Sequence, residues 1–177
     1  MKRSEMKMAV MDFVVPVVKL KQSLSFDMKD LFKAFQSLLK ERGYKIEERE
    51  YSESSPADNE QKTHFLWKCE KKVDYYTKQV IEIKFLADST HVVIEQDDRK
   101  KAMQEGNVSV AIGGYIEKDI EDDWALKVKT GFDRFVRELY DKFGKGPKFE
   151  EYEGKLRKDI EAVVFDIKTY LKMHRFD

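Results

Sequence analysis

The chain has 177 residues, enough for one domain or one domain with a helical appendage, and a chain of this size buries roughly two-thirds of its unfolded surface on folding. Its 34 basic and 34 acidic side chains cancel, which removes the long-range positive field used in non-specific nucleic-acid binding, so no nucleic-acid partner is expected. A single cysteine excludes an intramolecular disulfide and a cysteine zinc cluster, and points to a reducing, cytoplasmic setting.

The N-terminal stretch Met1 to Leu20 combines Lys2 and Arg3 with an apolar run, but Asp12 and Pro16 interrupt it and no small-residue cleavage site follows, so neither a signal peptide nor a membrane span is expected. From Val14 to Ser25 the residues alternate, with Val14, Pro16, Val18, Leu20 and Leu24 on one face. This predicts a first strand, placed at a sheet edge because Pro16 lacks a ladder donor. Asp27 then suits a helix N-cap, with Phe26 before it as a hydrophobic staple for Leu31. Leu31, Phe35, Leu38 and Leu39 form the apolar stripe of a helix over 27–42, and Gly43 is placed for its left-handed cap with Tyr44 folding back on Leu39.

Residues 44–51 read as a short polar strand, and 52–61, SESSPADNEQ, as a loop without apolar periodicity. Strict alternation resumes over 62–73, where Phe65, Trp67 and Cys69 share a face, and over 78–87, where Ile81, Ile83, Phe85 and Ala87 do. DYYT joins these two as a hairpin. Asp88, Ser89 and Thr90 predict a tight turn into a strand over 91–96, and the charged DDRKKAMQEGN a loop into the strand 108–118. Gly113 and Gly114 within that strand mark a bulge or bend.

Two helices close the chain. Over 120–143, Trp124, Val128, Phe132, Phe135, Leu139 and Phe143 recur at helical spacing, which predicts the long helix that covers the sheet. Gly144, Gly146 and Pro147 separate it from a second over 148–174, striped by Leu156, Ile160, Val163, Ile167 and Leu171. The fold class is therefore α+β: a curved antiparallel sheet of about six strands packed on long C-terminal helices, with one helix between the first two strands.

Few residues invite chemistry. Glu117, Asp119, Glu121, Asp122 and Asp123 crowd the start of the 120–143 helix, where N-terminal capping explains them better than a metal, since a calcium loop's glycine and terminal Glu are missing. Cys69 lies on the same strand face as Phe65 and Trp67, so it reads as a small buried hydrophobe. His64 points to the other face, and His91 and His174 stand far off in sequence. IGGY lacks the following lysine of a phosphate loop, and the lysines of WKCEKKVDYYTK alternate away from Trp67, as a solvated sheet face requires. No cofactor is expected, and neither a nucleophile nor a base can be assigned, so an enzyme is not the favoured reading.

The order of elements, from VVKLKQSLS through one helix and a run of strands to VSVAIGGYIEK and a long aromatic helix, resembles the helix-grip superfamily of START-like and polyketide-cyclase-like proteins over residues 14–143. The chain has six expected strands where that family has seven, and the helix over 148–174 is additional to a single domain of 1–177. The resemblance implies a sheet wrapped around the 120–143 helix with a cavity between them for an apolar or amphipathic small molecule. Phe65, Trp67, Ile83, Phe85, Ile112 and Gly114 from the sheet and Trp124, Phe132 and Phe135 from the helix would line it. The competing expectation is a protein-interaction or oligomerisation adaptor, including a homodimer, that uses the C-terminal helical hairpin.

Overall fold

A computed structural model describes residues 10–74, 77–96, 99–118 and 147–173. In chain order these form β1 (Val10–Phe26), α1 (Met28–Glu41), β2 (Lys45–Ser54), β3 (Glu60–Lys72), β4 (Thr77–Gln96), β5 (Arg99–Lys118) and α2 (Pro147–Met173). The strands make one open antiparallel sheet in the order β1-β5-β4-β3-β2. The fold is thus α+β with five strands in place of the expected six. The helix expected over 120–143, including Trp124, Phe132 and Phe135, lies outside the described residues.

The missing sixth strand is a merger. Asp88, Ser89 and Thr90 do not turn: each is paired on both sides, Asp88 with Lys62 and Asn107, Ser89 with Gln61 and Gly106, Thr90 with Glu60 and Glu105. A backbone hydrogen-bonded to two neighbours outweighs the turn preference of three polar side chains. The supposed loop 97–107 is mostly strand for the same reason, its residues Arg99 to Asn107 pairing with Gln96 back to Asp88. Beyond Thr90, β4 loses β3 as a partner and continues with β5 as a two-stranded ribbon, tied to the first turn of α1 by Lys101, whose Nζ lies 3.3 Å from Asp30 and 3.9 Å from Asp27. β2 likewise runs on to Ser54, shortening the expected loop.

Local signals elsewhere give the expected structures. Asp27 caps α1 by accepting from the amides of Lys29 at 2.8 Å and Asp30 at 3.4 Å. At the other end Gly43 has φ +81°, and the amides of Gly43 and Tyr44 return to the carbonyls of Lys40 and Leu39. β1 is an edge strand. Pro16 and Val17 sit in its irregular stretch, where the register passes from Val15 opposite Gly114 to Val18 opposite Ile112, so two residues face Gly113 alone. The bulge that the glycine pair announces is therefore on the partner strand.

Both helices cover one face of the sheet. α1 packs on β2, and α2 crosses β1, β5 and β4 and touches α1. Leu31, Phe35 and Leu39 from α1 and Leu156, Ile160, Val163, Ile167 and Leu171 from α2 are buried against Leu20, Leu24, Phe65, Trp67, Ile81, Ile83, Phe85, Val110, Ile112 and Ile116 of the sheet. Polar ties fasten α2 at its border. Asp159 accepts from the Tyr44 hydroxyl at 2.9 Å and pairs with Lys71 at 3.1 Å, and Asp166 pairs with Arg42. Burial and the adjacent Asp159 carboxylate push the Tyr44 hydroxyl well above its ordinary pKa, so it stays a donor. No described helix is long and apolar enough to cross a membrane.

Candidate functional site

Of the aromatic residues expected to line a cavity, Phe65, Trp67 and Phe85 of the sheet are brought together and α1 covers them, while Trp124, Phe132 and Phe135 lie outside the described residues. Phe65 and Phe85, directly paired across β3 and β4, stack at 4.6 Å with planes 8° apart, and Phe65 stacks on Trp67 at 4.4 Å. Phe32 stands edge-on to Phe65 at 5.1 Å and to Trp67 at 4.6 Å, while Phe35 meets Phe85 at 6.3 Å and Tyr170 of α2 at 6.2 Å. These edge-to-face and offset contacts are the favourable ones for aromatic rings. The Trp67 indole N–H donates to Glu48 at 3.4 Å. Ile83 and Ile112, a cross-strand pair, are buried on the same face. Gly114 lies under α2, where a Cβ built on it would stand 2.3 Å from Cδ1 of Ile160. Phe65, Trp67 and Phe85 thus lie beneath α1 and Gly114 beneath α2, with the Ile83–Ile112 pair between Phe85 and Gly114 in the register.

Cys69 is buried on this face, next along β3 from Trp67, and burial pushes its thiol up to about 12. It is protonated and shielded at neutral pH. In the native protein it is expected to leave an aromatic disulfide reagent unreacted and to give one equivalent of thiol only in denaturant; rapid native labelling would show that this face opens. Because burial penalises only the thiolate, Cys69 costs the fold nothing below the ordinary 9.0 and lowers its stability as pH climbs from there toward about 12.

The opposite face is charged. Lys68 bridges Glu70 and Glu117 at 2.8 Å each, and Tyr115 donates to Glu82 at 3.2 Å, with Val80 buried among them. Burial opposes the charge on Lys68, but the two carboxylates outweigh it and hold the ammonium above its usual range. Burial, then Glu82, pushes the Tyr115 hydroxyl up to about 12. His64 on this face has Nδ1 3.9 Å from Glu50, and its buried Nε2 has no hydrogen-bond partner among the described residues, so no nucleophile is presented to it there. Among the described residues no group of His, Cys, Asp and Glu is arranged to hold a metal ion.

One sector was not anticipated. Along the helix-covered face of β3, the row that ends in Phe65, Trp67 and Cys69 begins with Gln61 and Thr63. Ser89 of β4 is paired with Gln61, and Gln104 of β5 donates its amide N–H to the side-chain oxygen of Gln61. Gln61 in turn donates to Glu53 of β2, which also accepts from the Tyr51 hydroxyl at 2.8 Å. Gln61, Thr63 and Gln104 are more than nine-tenths buried, at 7%, 2% and 8% exposure. Two of their polar atoms, the Thr63 hydroxyl and Gln104 Oε1, have no hydrogen-bond partner among the described residues. An unsatisfied buried polar group costs on the order of 1–3 kcal/mol, so these two atoms are a cost that the described residues do not offset.

Segmentation hid this sector in the sequence. Gln61 fell in an expected loop, Ser89 in an expected turn and Gln104 in a charged connection. The signal was alternation carried past those borders: Gln61, Thr63, Phe65 on β3, Phe85, Ala87, Ser89 on β4, and Gln104 two pairs before Val108 on β5. Compared with family models and with curated proteins, the chain matches none.

Proposed function

We propose that the protein binds an apolar or amphipathic small molecule on the helix-covered face of its sheet, with the polar end of the ligand at Gln61, Thr63 and Gln104. The supporting observation is the juxtaposition on one face of an aromatic sector, Phe65, Trp67 and Phe85, with buried polar atoms that lack partners among the described residues. Apolar walls with a few convergent polar groups are the usual composition of a small-molecule site. Tyr51 and Glu53, which join this sector from the edge strand β2, are exposed. Met28 and Phe32, on successive turns of α1, are only partly buried and would meet the ligand's tail. Methionine is unbranched and repacks at low cost.

The test is a panel of medium-chain alcohols, amides, carboxylates and alkyl glycosides followed by thermal shift and tryptophan fluorescence. At least one class is expected to raise the melting temperature with the logarithm of its concentration, reaching about 2.7 kcal/mol of stabilisation at a hundredfold excess over Kd. No shift across the panel overturns the reading.

A second reading, an interaction adaptor or homodimer, has its own support in α2. Phe165 and Met173 on that helix are 68% and 76% exposed, whereas the helix's other large apolar side chains face the sheet or are partly covered. Native mass spectrometry of the purified chain separates the two, since it shows small-molecule adducts and subunit number together.

A further inference from the structure

β1 and β2 each have one neighbouring strand among the described residues, and the two edges differ. β1 carries Pro16, which has no ladder donor, inside a stretch of irregular register, so its outer side offers a broken row of backbone groups. β2 contains no proline. Over Lys45–Ser54 every residue but Ile46 is exposed, and the register with β3 shifts once, between Glu48 and Glu50. β2 therefore presents N–H and C=O groups along its outer side to any further strand that can pair with them.

Charge decides which strand that is. β2 holds Glu47, Glu48, Glu50 and Glu53 against Lys45 and Arg49. Lysines of β3 that run beside it are engaged elsewhere: Lys62 with Asp88 at 3.6 Å, Lys68 with Glu70 and Glu117 at 2.8 Å each, and Lys71 with Asp159 at 3.1 Å. Glu47 meets Arg49 at 3.1 Å, but Glu48 and Glu53 accept from the neutral donors Trp67, Tyr51 and Gln61, and Glu50 faces the His64 imidazole at 3.9 Å. A second copy of β2 would bring the same excess of carboxylates to the pair, and like charges directly opposite destabilise it whereas opposite charges stabilise it. On the helix-covered side Ile46 is only partly buried, as is Phe32 of α1, which touches Trp67. We propose that β2 is a docking edge for an extended segment of another protein, one that bears Lys or Arg at alternate positions with apolar residues between them and adds as a sixth strand. Its basic side chains meet Glu47 and Glu50 on the uncovered face, and its apolar ones meet Ile46 and Phe32. The proposal does not depend on a small-molecule ligand.

The probe is a fluorescein-labelled octapeptide of alternating lysine and valine, titrated by anisotropy into the full chain at low salt beside its glutamate–valine counterpart. The lysine peptide is expected to bind at least tenfold more tightly, and to weaken as salt is added, because exposed charges are screened. Two further lysine peptides carry N-methyl groups on one or the other alternate set of amides. One set is expected to abolish binding and the other to preserve it, since successive amides of a strand point to opposite neighbours. Glu47→Lys combined with Glu50→Lys is expected to reverse the preference between the two charged peptides. The melting temperature should stay within about 3 °C of the parent, because both side chains are exposed and surface pairs contribute little. Equal effects of the two methylated sets would mean charge attraction without strand addition and overturn the proposal, as would an unchanged preference in the double variant. Absence of lysine-peptide binding overturns it as well, and a homodimer that Tyr51→Pro dissociates would then identify the occupant of β2 as a second copy.

Discussion

A chain ended at Phe143 is expected to lose its cooperative unfolding transition. The residues removed with α2 include Leu156, Ile160, Val163, Ile167 and Leu171, all buried to within a few per cent. At about 1.5–3 kcal/mol for each large apolar side chain the loss is on the order of 10 kcal/mol, comparable with the whole stability of a domain. The deletion also uncovers Ile112 and Ile116 of β5 and removes Asp159 and Asp166, the partners of Tyr44, Lys71 and Arg42. Far-ultraviolet dichroism should persist, while near-ultraviolet dichroism is lost and a hydrophobic dye binds. A sharp melt close to that of the full chain would mean that α2 is an appendage and that the sheet is covered without it.

Gly106→Ala is expected to cost about 3 kcal/mol or more and lower the melting temperature by roughly 6–12 °C, the upper end of what a single added methyl does. A Cβ at this position would stand 2.0 Å from the carbonyl oxygen of Asp88 and 2.5 Å from Cα of Ser89. Both obstacles are backbone on the paired strand, so no rotamer change relieves them and β4 and β5 must separate where the ribbon leaves the sheet. Gly114→Ala is the useful contrast, because its nearest obstacle is Ile160 Cδ1, the far end of a side chain, with the Val80 carbonyl at 3.0 Å. Its cost is expected near 1–2 kcal/mol. Ile160→Val removes that methyl, and in the double variant the two losses should fall short of their sum by at least 0.5 kcal/mol. Equal, additive effects of the two alanines in denaturant titrations would show that the strand and helix approaches drawn here are wrong.

The contrast between these glycines also separates what a sequence carries from what it does not. Asp27, the stripe Leu31, Phe35, Leu39 and the Gly43–Tyr44 turn specify α1 because every partner of the cap and turn lies within five residues. Alternation from Phe65 to Cys69 and from Ile81 to Ala87 reports which side chains are buried, since side chains of a strand point to opposite faces in turn. The same alternation makes Cys69 a buried thiol, and Pro16 correctly marks an edge. None of this depends on which strand lies alongside which.

Partnership across the sheet was decided only in three dimensions. β1 meets β5 with Leu20 opposite Val110, and no local pattern specifies a pairing 90 residues away. The same long-range pairing turned an expected turn at Asp88–Thr90 and an expected charged loop at 99–107 into strand, because hydrogen bonds from both neighbours outweigh the weak preferences of polar side chains. It also placed Gln61 and Gln104, from two supposed loops, in one buried sector with Thr63 of β3. The sequence by itself determined the first helix with its caps and the apolar, alternating faces of the strands, because those follow from neighbours within a few residues. The sheet order, the cover of Gly114 by Ile160 and the polar end of the aromatic face were left to the tertiary structure, where groups distant in the chain either find partners or are buried without them.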